Sequence, residues 1–493
     1  MINNFLKDII KYLPAQIVPP IVGIIAMPIV THLFPAQEYG NYILVIVTVD
    51  ILISSIKWLS ASVIRFYPAY ERDKKLEDFY ATVVELAVIS IGLISFVFLV
   101  VLLYCKIYIS LKLYSLMQIG IILFILLAAF ELLLDFLRVK RQAIWYSGFM
   151  IYKSVSVISI GVLLVICFHL GVEGLLWGFV LSLLFALPFL WKKAIGKIFL
   201  VLKKSSLYLT KGMAKYGLPL IVAICAGKIL SFGDRYVLGL FRGPSEVGIY
   251  SASYVVAEMA VMLIVFLFML ASEPIALSMW EREDKNKIRE FISKLARYYL
   301  ILALPVLVGL ISLSKPIIAF LTAPEYHLGY KVIPWVSAGV FLFGLQHIFG
   351  IVFAFYKKTY IIMFLAFASS LLNIFLNFLF VPKYGYIAAA ITTFISYVFL
   401  AVTVIIISRR MFLWRFPVKS LLKISLAAAI MSIVVYHIGN NPFLPLFINL
   451  ILGIFSGIAV YSGVFFILKE IQEEEIKELR SIKGMILAKL RVR

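Results

Sequence analysis

The chain has 493 residues, of which 63% are hydrophobic and only 14% are charged, and its formal net charge is +21. This composition is typical of a polytopic membrane protein, and no polar stretch is long enough to form a separate soluble domain. The three cysteines, Cys105, Cys167 and Cys225, lie in or beside apolar segments, which argues against both a disulfide framework and a thiolate metal site.

Apolar segments of about twenty residues follow one another along almost the whole chain. A helix of this length crosses the roughly 30 Å hydrocarbon core, because its backbone satisfies its own hydrogen bonds. Barrel strands would instead alternate in and out over about ten residues. The sequence therefore predicts an all-α integral membrane protein with about 14 transmembrane helices. The predicted spans are 14–34, 42–64, 81–104, 116–137, 147–169, 172–191, 216–240, 248–272, 297–322, 332–355, 359–381, 385–408, 420–439 and 445–468.

Cationic residues are unevenly distributed between the two sides that these spans define. With the N-terminus inside, the cytoplasmic connections hold roughly 36 of the 46 Lys and Arg residues. The outward loops hold only Lys106, Lys112, Arg242, Lys331 and Lys383. This asymmetry predicts a multi-pass protein of the cell inner (plasma) membrane with both termini in the cytoplasm. It also accounts for the positive charge, so binding to nucleic acid is not expected.

The chain repeats itself at an interval of about 205 to 214 residues. KYLP at 11–14 matches KYGLP at 215–219, EYGNY at 38–42 matches EVGIY at 246–250, and HLGVEGLLWG at 169–178 matches PKYGYIAAAI at 382–391. Six spans separate the matches, so the two units have the same orientation in the membrane. We predict the following organisation: a six-helix lobe at 1–203, a second six-helix lobe at 204–415, two extra helices at 416–468 and a cytoplasmic tail at 469–493.

Two segments also carry a family resemblance: KYGLPLIVAICAGKILSFGDRYVLGLFRGPSEVGIYSASY at 215–254 and NIFLNFLFVPKYGYIAAAITTFISY at 373–397. They resemble the polysaccharide transporters of the multidrug/oligosaccharidyl-lipid/polysaccharide exporter superfamily, and within it the flippases of O-antigen and capsule repeats. The resemblance covers spans 1 to 12. It implies two parallel six-helix lobes that face one another around a central cavity, which opens alternately inward and outward.

Ionisable residues inside the predicted spans are candidates for the substrate site, because a charge at the centre of a spanning helix costs about 2.5 to 3.5 kcal/mol and generally faces a cavity or a partner. The cations are Lys57, Lys153, Lys228, Arg235 and Lys315, of which the first four are the candidates for binding the substrate. In the resembled family the helices that correspond to spans 1, 2, 7 and 8 line the cavity. We therefore expect Lys57 and Lys228 above all to contact the pyrophosphate of a lipid carrier, although pairing with carboxylates is an open alternative for both.

The anions at comparable depth are Asp50, Glu131, Asp135, Asp234 and Glu258. Asp50 falls on one helical stripe with Ser54 and Lys57. Glu131, Asp135 and Arg138 share one face of span 4, a pattern that favours a structural ion pair near the cytoplasmic entrance, with ion coupling or ion pairs in the cavity as the functional alternative. Asp234 beside Arg235 matches an Asp-basic pair of the resembled family and favours a structural ion pair. Coupling to an H+ or Na+ gradient through Asp50 or Glu258 is a further hypothesis.

The sequence shows no metal-ligand spacing of histidines and no phosphate-binding loop, so we expect neither an enzyme nor a resident cofactor. The leading hypothesis is a flippase that moves polyprenyl-pyrophosphate-linked oligosaccharide repeat units from the cytoplasmic to the outer leaflet, for O-antigen, lipopolysaccharide or capsule synthesis. A drug/cation antiporter and a peptidoglycan-precursor (lipid II) flippase are alternatives, and a membrane polysaccharide polymerase or ligase is a weaker one. Expected partners are the lipid-linked oligosaccharide, membrane lipid, a polysaccharide polymerase and a chain-length regulator; we expect a monomer.

Overall fold

The computed structural model describes residues 2–196, 206–282 and 284–470. A 3-10 helix, Pro324–Val332, lies between α11 and α12. The α-helices are α1 (Ile2–Leu33), α2 (Ala36–Ser54), α3 (Lys57–Arg72), α4 (Leu76–Cys105), α5 (Leu111–Val139), α6 (Ala143–Phe168), α7 (Gly171–Ala194), α8 (Leu207–Phe241), α9 (Pro244–Arg282), α10 (Lys285–Ser312), α11 (Ser314–Leu321), α12 (Ile333–Phe355), α13 (Tyr360–Met411), α14 (Val418–Gly439) and α15 (Leu446–Ile467).

Within the described ranges, 13 helical segments are long and apolar enough to cross a membrane, which confirms the predicted all-α membrane fold. The difference from the predicted 14 comes from α13, which contains both predicted spans 359–381 and 385–408. Gly385 divides α13 with φ 63° and ψ −147°, a backbone conformation that a side chain would strain. The Tyr386 amide after it donates a hydrogen bond of 2.9 Å to Glu246 Oε2, so this kink is held at a defined place.

Two predicted spans are interrupted. The predicted span 42–64 breaks between α2 and α3, where the amides of Ser55 and Ile56 bond the carbonyls three residues back, at 3.1 and 2.9 Å, in a tighter turn than an α-helix. The predicted span 297–322 ends as α10 at Ser312 and resumes as α11. Pro316 explains this second break, because in a continuous helix its ring would clash with the carbonyl group of Ser312, four residues earlier.

Contacts divide the chain into two compact units: the first contains Met1–Val256, Leu321–Val332 and Tyr360–Ser396, and the second contains Ala257–Phe320, Ile333–Thr359 and Tyr397–Arg493. The lobes predicted at 1–203 and 204–415 remain a prediction of the sequence repeat. Most of the predicted tail, 471–493, lies outside the described residues.

In the first unit, glycines of the repeated motifs make the closest helix crossings. A Cβ on Gly40 would lie 1.8 Å from the Pro244 carbonyl oxygen, and one on Gly248 would lie 2.1 Å from the Ala36 carbonyl oxygen. The starts of α2 and α9 therefore touch backbone to backbone, which only residues without a side chain permit. Helices α6 and α7 approach in the same way at Gly161 and Gly178.

In the second unit, α10 packs against α12 and α14, and α14 packs against α15. Tyr299 of α10 is fully buried and donates a 2.8 Å hydrogen bond to the Phe341 carbonyl of α12. Between α10, α14 and α15 lies a cavity of about 500 Å³, with a mainly apolar lining that includes Leu313, Met431 and Gly457. Thus this unit contains an apolar space that borders the two most C-terminal helices described.

Many large apolar side chains lie on the outside of the helices, in contrast to a soluble protein. Phe96 of α4 is 63% exposed, Phe189 of α7 70% and Phe455 of α15 67%. Such a surface is unstable in water but suits a hydrocarbon environment, in which the helices satisfy their own backbone hydrogen bonds. The protein is accordingly a multi-pass membrane protein.

Candidate functional site

The first unit contains an ion pair between α3 and α5. Lys57 is the first residue of α3, and its ammonium pairs with the Glu131 carboxylate. The side chains are 35% and 26% exposed. Asp135 lies one turn further along α5 and is 8% exposed. Since a charge turned toward lipid is costly, this pair indicates a hydrated space beside α3 and α5.

A second ion pair joins α2 to α8. Lys228 Nζ donates a 2.8 Å hydrogen bond to Asp50 Oδ2, and the two side chains are 36% and 38% exposed. The ammonium also lies 5.0 Å from the centroid of the Phe232 ring. Helical spacing placed Asp50 and Lys57 on one stripe, but the turn between α2 and α3 intervenes and each residue pairs with a different helix.

Lys153 of α6 completes this group of charges. Its ammonium lies 5.6 Å from the centroid of the Phe130 ring, and within the described part of the chain it has no carboxylate in salt-bridge contact. Glu131 interacts electrostatically with Lys57, Lys153 and Lys228, and Lys153 does so with Asp50. The structure thus brings six predicted residues together, which we call the six-charge cluster: Asp50, Lys57, Glu131, Asp135, Lys153 and Lys228.

Arg235 and Asp234 are placed differently, in the interior of the first unit. The Arg235 side chain is 3% exposed and that of Asp234 is 0% exposed, and Arg235 Nη1 lies 2.9 Å from Asp234 Oδ1. The guanidinium carbon lies 4.3 Å from the Tyr254 ring centroid, and Nη1 also donates to the Ser231 carbonyl at 2.8 Å. This arginine is fully engaged within the protein, as expected for the structural pair that the sequence favoured.

Hydrogen bonds extend this pair into a buried chain of polar groups that sequence reasoning missed. Tyr250 and Thr393 donate to Asp234 Oδ2, and Asn373 Nδ2 donates to Thr393 at 3.3 Å. We call the whole set the Asp234 network: Asp234, Arg235, Tyr250, Asn373, Asn377, Thr392 and Thr393. Asn373 and Asn377, four residues apart in an apolar span, were the available signal, because amides in hydrocarbon require partners.

Glu258, the remaining candidate, belongs to the second unit and lies on α9, partly buried. Its proposed part in ion coupling stays a prediction. The same holds for the pyrophosphate contacts predicted for Lys57, Lys153, Lys228 and Arg235. The geometry adds that the side chains of Lys57 and Lys228 are about one third exposed in their ion pairs, whereas the Arg235 side chain is 3% exposed.

The curated relatives match only part of their length. The chain is 23% identical over 299 residues to the probable low-salt glycan biosynthesis flippase Agl15 of Haloferax volcanii. This match covers 58% of this chain and 60% of that protein. It is 29% identical over 208 residues to the lipid II flippase MurJ of Thermosipho africanus, 41% of this chain and 42% of that protein. The matches therefore span roughly half of these relatives.

Solved structures match over almost the whole chain. The fold of a lipid II flippase MurJ in an inward closed conformation superposes with a TM-score of 0.73 at 21% identity, covering 94% of this chain and 99% of that one. At this identity the likeness shows the fold. A MatE family profile matches residues 219–379. The profile of the family described as polysaccharide biosynthesis protein matches residues 5–280, more than half of the chain, and the protein belongs to that family.

Proposed function

We propose that the protein is a flippase that moves polyprenyl-pyrophosphate-linked oligosaccharides from the cytoplasmic to the outer leaflet by alternating access. The observation that carries this proposal is the six-charge cluster, in which two lysine–carboxylate pairs near mid-span remain about one third exposed. A third cation, Lys153, has no carboxylate in salt-bridge contact within the described ranges. The glycan flippase among the relatives supports the same substrate class.

The diphosphate would bind by exchange of partners. Glu131 and Asp50 hold the ammonium groups of Lys57 and Lys228, which avoids an uncompensated charge at membrane depth. Phosphate oxygens accept the same charge-assisted hydrogen bonds as these carboxylates. Entry of a diphosphate would therefore open the two pairs, with Lys153 supplying further positive charge. Alternating access follows if the occupied and empty clusters stabilise different conformations.

Carboxylates released by this exchange would need a new partner, which motivates coupling to a cation gradient. A proton or Na+ on Asp50 or Glu131 would compensate the displaced charge. Glu258 remains a further candidate for this coupling. Transport by the Asp50→Asn variant at the wild-type rate, and with an unchanged dependence on the gradient, would remove Asp50 from this proposal.

The direct test is a transport assay with the full-length protein in liposomes. A polyprenyl-pyrophosphate oligosaccharide is placed in the inner leaflet, and its appearance outside is measured with an external glycan-cleaving enzyme. Charge reversal at both Lys57→Glu and Lys228→Glu is expected to reduce the transport rate at least tenfold. The matched control, Lys211→Glu with Lys215→Glu, reverses two exposed lysines of α8 and should keep the rate within about twofold. Equal rates for the two double variants would refute the proposed role of the cluster.

A drug/cation antiporter is the second candidate, favoured by the MatE profile at residues 219–379. Such a protein would bind organic cations at carboxylates, so the same liposomes should accumulate a cationic dye when a proton or Na+ gradient is applied.

A lipid II flippase, suggested by the second relative, would share the diphosphate site and differ in the glycan. Comparing transport of lipid II with that of a lipid-linked oligosaccharide separates these two. If the protein is a flippase of lipid-linked oligosaccharides, a polysaccharide polymerase and a chain-length regulator would act on the oligosaccharides that it delivers to the outer leaflet.

A further inference from the structure

A basic cavity of about 830 Å³ lies in the second unit, where α10 begins, α13 ends and α14 begins. Arg289 of α10, Arg409 near the end of α13 and Arg415 of the connection to α14 line its wall. Ser293 and Ser420 add hydroxyl groups. All these residues belong to the second unit, so the cavity is separate from the six-charge cluster of the first unit.

Two acidic residues near this cavity within the described ranges, Glu290 and Glu470, are paired with other cations. Glu290 lies 2.8 Å from Lys294, one turn along α10. Arg297 pairs with Glu470 at 2.9 Å, and both side chains are 5% exposed. These pairs neutralise two of the five cations in the lining. Three uncompensated guanidinium groups remain, because Arg289, Arg409 and Arg415 form no ion pair within the ranges that the structure describes.

Arg289 has unused hydrogen-bonding capacity. Its Nη1 donates to Asn286 Oδ1 at 3.1 Å, whereas its Nε is buried without a partner in the described part of the chain. Buried polar groups are generally hydrogen-bonded, so a buried guanidinium nitrogen without an acceptor indicates a missing anion or water. The guanidinium also lies 5.5 Å from the centroid of the Phe412 ring, which orients it.

The connection that carries Arg415 is anchored by aromatic packing. Trp414 stacks on Phe349 with the ring centroids 4.0 Å apart, and its indole Nε1 donates to Ser408 at 3.3 Å. Trp414 is 3% exposed, but the neighbouring Leu413 is 66% exposed. The cavity rim thus presents arginines on a fixed backbone beside an apolar side chain that faces outward, an arrangement typical of a membrane interface.

We infer that this cavity binds a phosphate anion, and that its occupant is the headgroup of an anionic phospholipid. Guanidinium groups match phosphate oxygens bidentately, and three of them leave a net positive charge that a zwitterionic headgroup would satisfy less well. The exposed Leu413 and the start of the apolar helix α14 place hydrocarbon next to the site. A phosphorylated soluble molecule shares the headgroup chemistry and is separated from the lipid by experiment.

The test measures lipid binding to the full-length protein in detergent by native mass spectrometry. Phosphatidylglycerol is added in one arm, phosphatidylcholine in a second, and inorganic phosphate or ATP in a third. The triple variant Arg289→Gln, Arg409→Gln, Arg415→Gln should bind phosphatidylglycerol about tenfold more weakly than the wild type. The control triple, Lys358→Gln, Arg410→Gln, Lys419→Gln, removes the same charge from residues that do not line the cavity and should change binding less than twofold.

Each outcome either distinguishes a phospholipid headgroup from a soluble phosphorylated ligand or rules out the proposed site. Loss of phosphatidylglycerol binding in the cavity triple alone, with little effect of phosphate or ATP, supports the lipid headgroup. Binding of phosphate or ATP that the cavity triple abolishes supports a phosphate site for a soluble ligand and overturns the lipid assignment. Equal binding by the two triples overturns the site altogether, since the arginines would then act only through overall charge. An Arg→Lys triple keeps the charge, checks folding, and should retain part of the affinity.

Discussion

Two charged regions of the first unit use the same residue types in opposite surroundings. The pairs Lys57–Glu131 and Lys228–Asp50 are about one third exposed and join separate helices. Asp234 and Arg235 are adjacent in sequence, at most 3% exposed, and saturated by hydroxyl, carbonyl and aromatic partners. Exposure and spare hydrogen-bonding capacity, more than the presence of a charge in a spanning helix, therefore distinguish a group that can accept a ligand from one that supports the fold.

The largest effect is expected from breaking the buried pair. Arg235→Gln would leave Asp234 charged in the protein interior and should lower the free energy of unfolding by about 3 to 5 kcal/mol. Thermal unfolding of the purified protein in detergent measures this. Arg65→Gln removes an exposed arginine of α3 and serves as the control. A variant at position 235 as stable as this control would mean that the buried pair does not support the fold.

A smaller loss of stability is expected when Asn377, an uncharged member of the Asp234 network, is substituted. Asn377→Ala deprives the Asn373 carbonyl oxygen of its donor at 3.0 Å and leaves the Thr392 hydroxyl with the Ala389 carbonyl as its acceptor in place of Asn377. Leaving buried polar groups unsatisfied costs about 1 to 3 kcal/mol. The same unfolding measurement applies, with Gln118→Ala at an exposed position of α5 as the control. Unchanged stability would show that water replaces the amide.

Exchanging the partners of an exposed pair separates its structural from its transport role. The double variant Lys57→Glu with Glu131→Lys restores opposite charges, so stability should stay within about 1 kcal/mol of the wild type. The ammonium moves from α3 to α5, and the transport rate should fall by roughly threefold or more, because binding geometry depends on position. Full recovery of transport would indicate that the pair serves only to hold the helices together.

The smallest effect concerns the pair of Glu470 with Arg297 in the second unit, a second buried ion pair outside the first unit. Burial alone raises the pKa of Glu470, but hydrogen bonds from Ser420 and Arg297, together with the Arg297 charge, outweigh it and hold the pKa below its ordinary value of 4.5. The Glu470 carboxylate therefore stabilises the fold above about pH 4.5, and this stabilisation is lost as the pH falls through the lowered pKa of Glu470. The difference in melting temperature between wild type and Glu470→Gln should shrink on acidification; a constant difference from pH 7 to pH 4 would contradict this.

Much of the architecture could be predicted because the membrane imposes it locally. Each predicted span is helical over most of its length, and the glycines of the repeated motifs lie where α2 meets α9 and where α13 bends. The breaks in two spans were missed. The Ser55–Ile56 turn gave no proline or glycine signal, whereas Pro316 was a signal that the apolar run concealed. The sequence left open whether Lys228 pairs with a carboxylate, and it did not identify Asp50 as the partner.

Hydropathy, charge asymmetry and helix length identify a helical membrane protein with intramembrane charges, because each of them is a property of single segments. Which charges meet, and how far they are exposed, depends on the packing of separate helices. Helical periodicity assigns a residue to a face of its helix but not to a neighbour, so the partners of Lys57 and Lys228, the enclosure of Arg235 and the gathering of three arginines at one cavity depended on how separate helices pack.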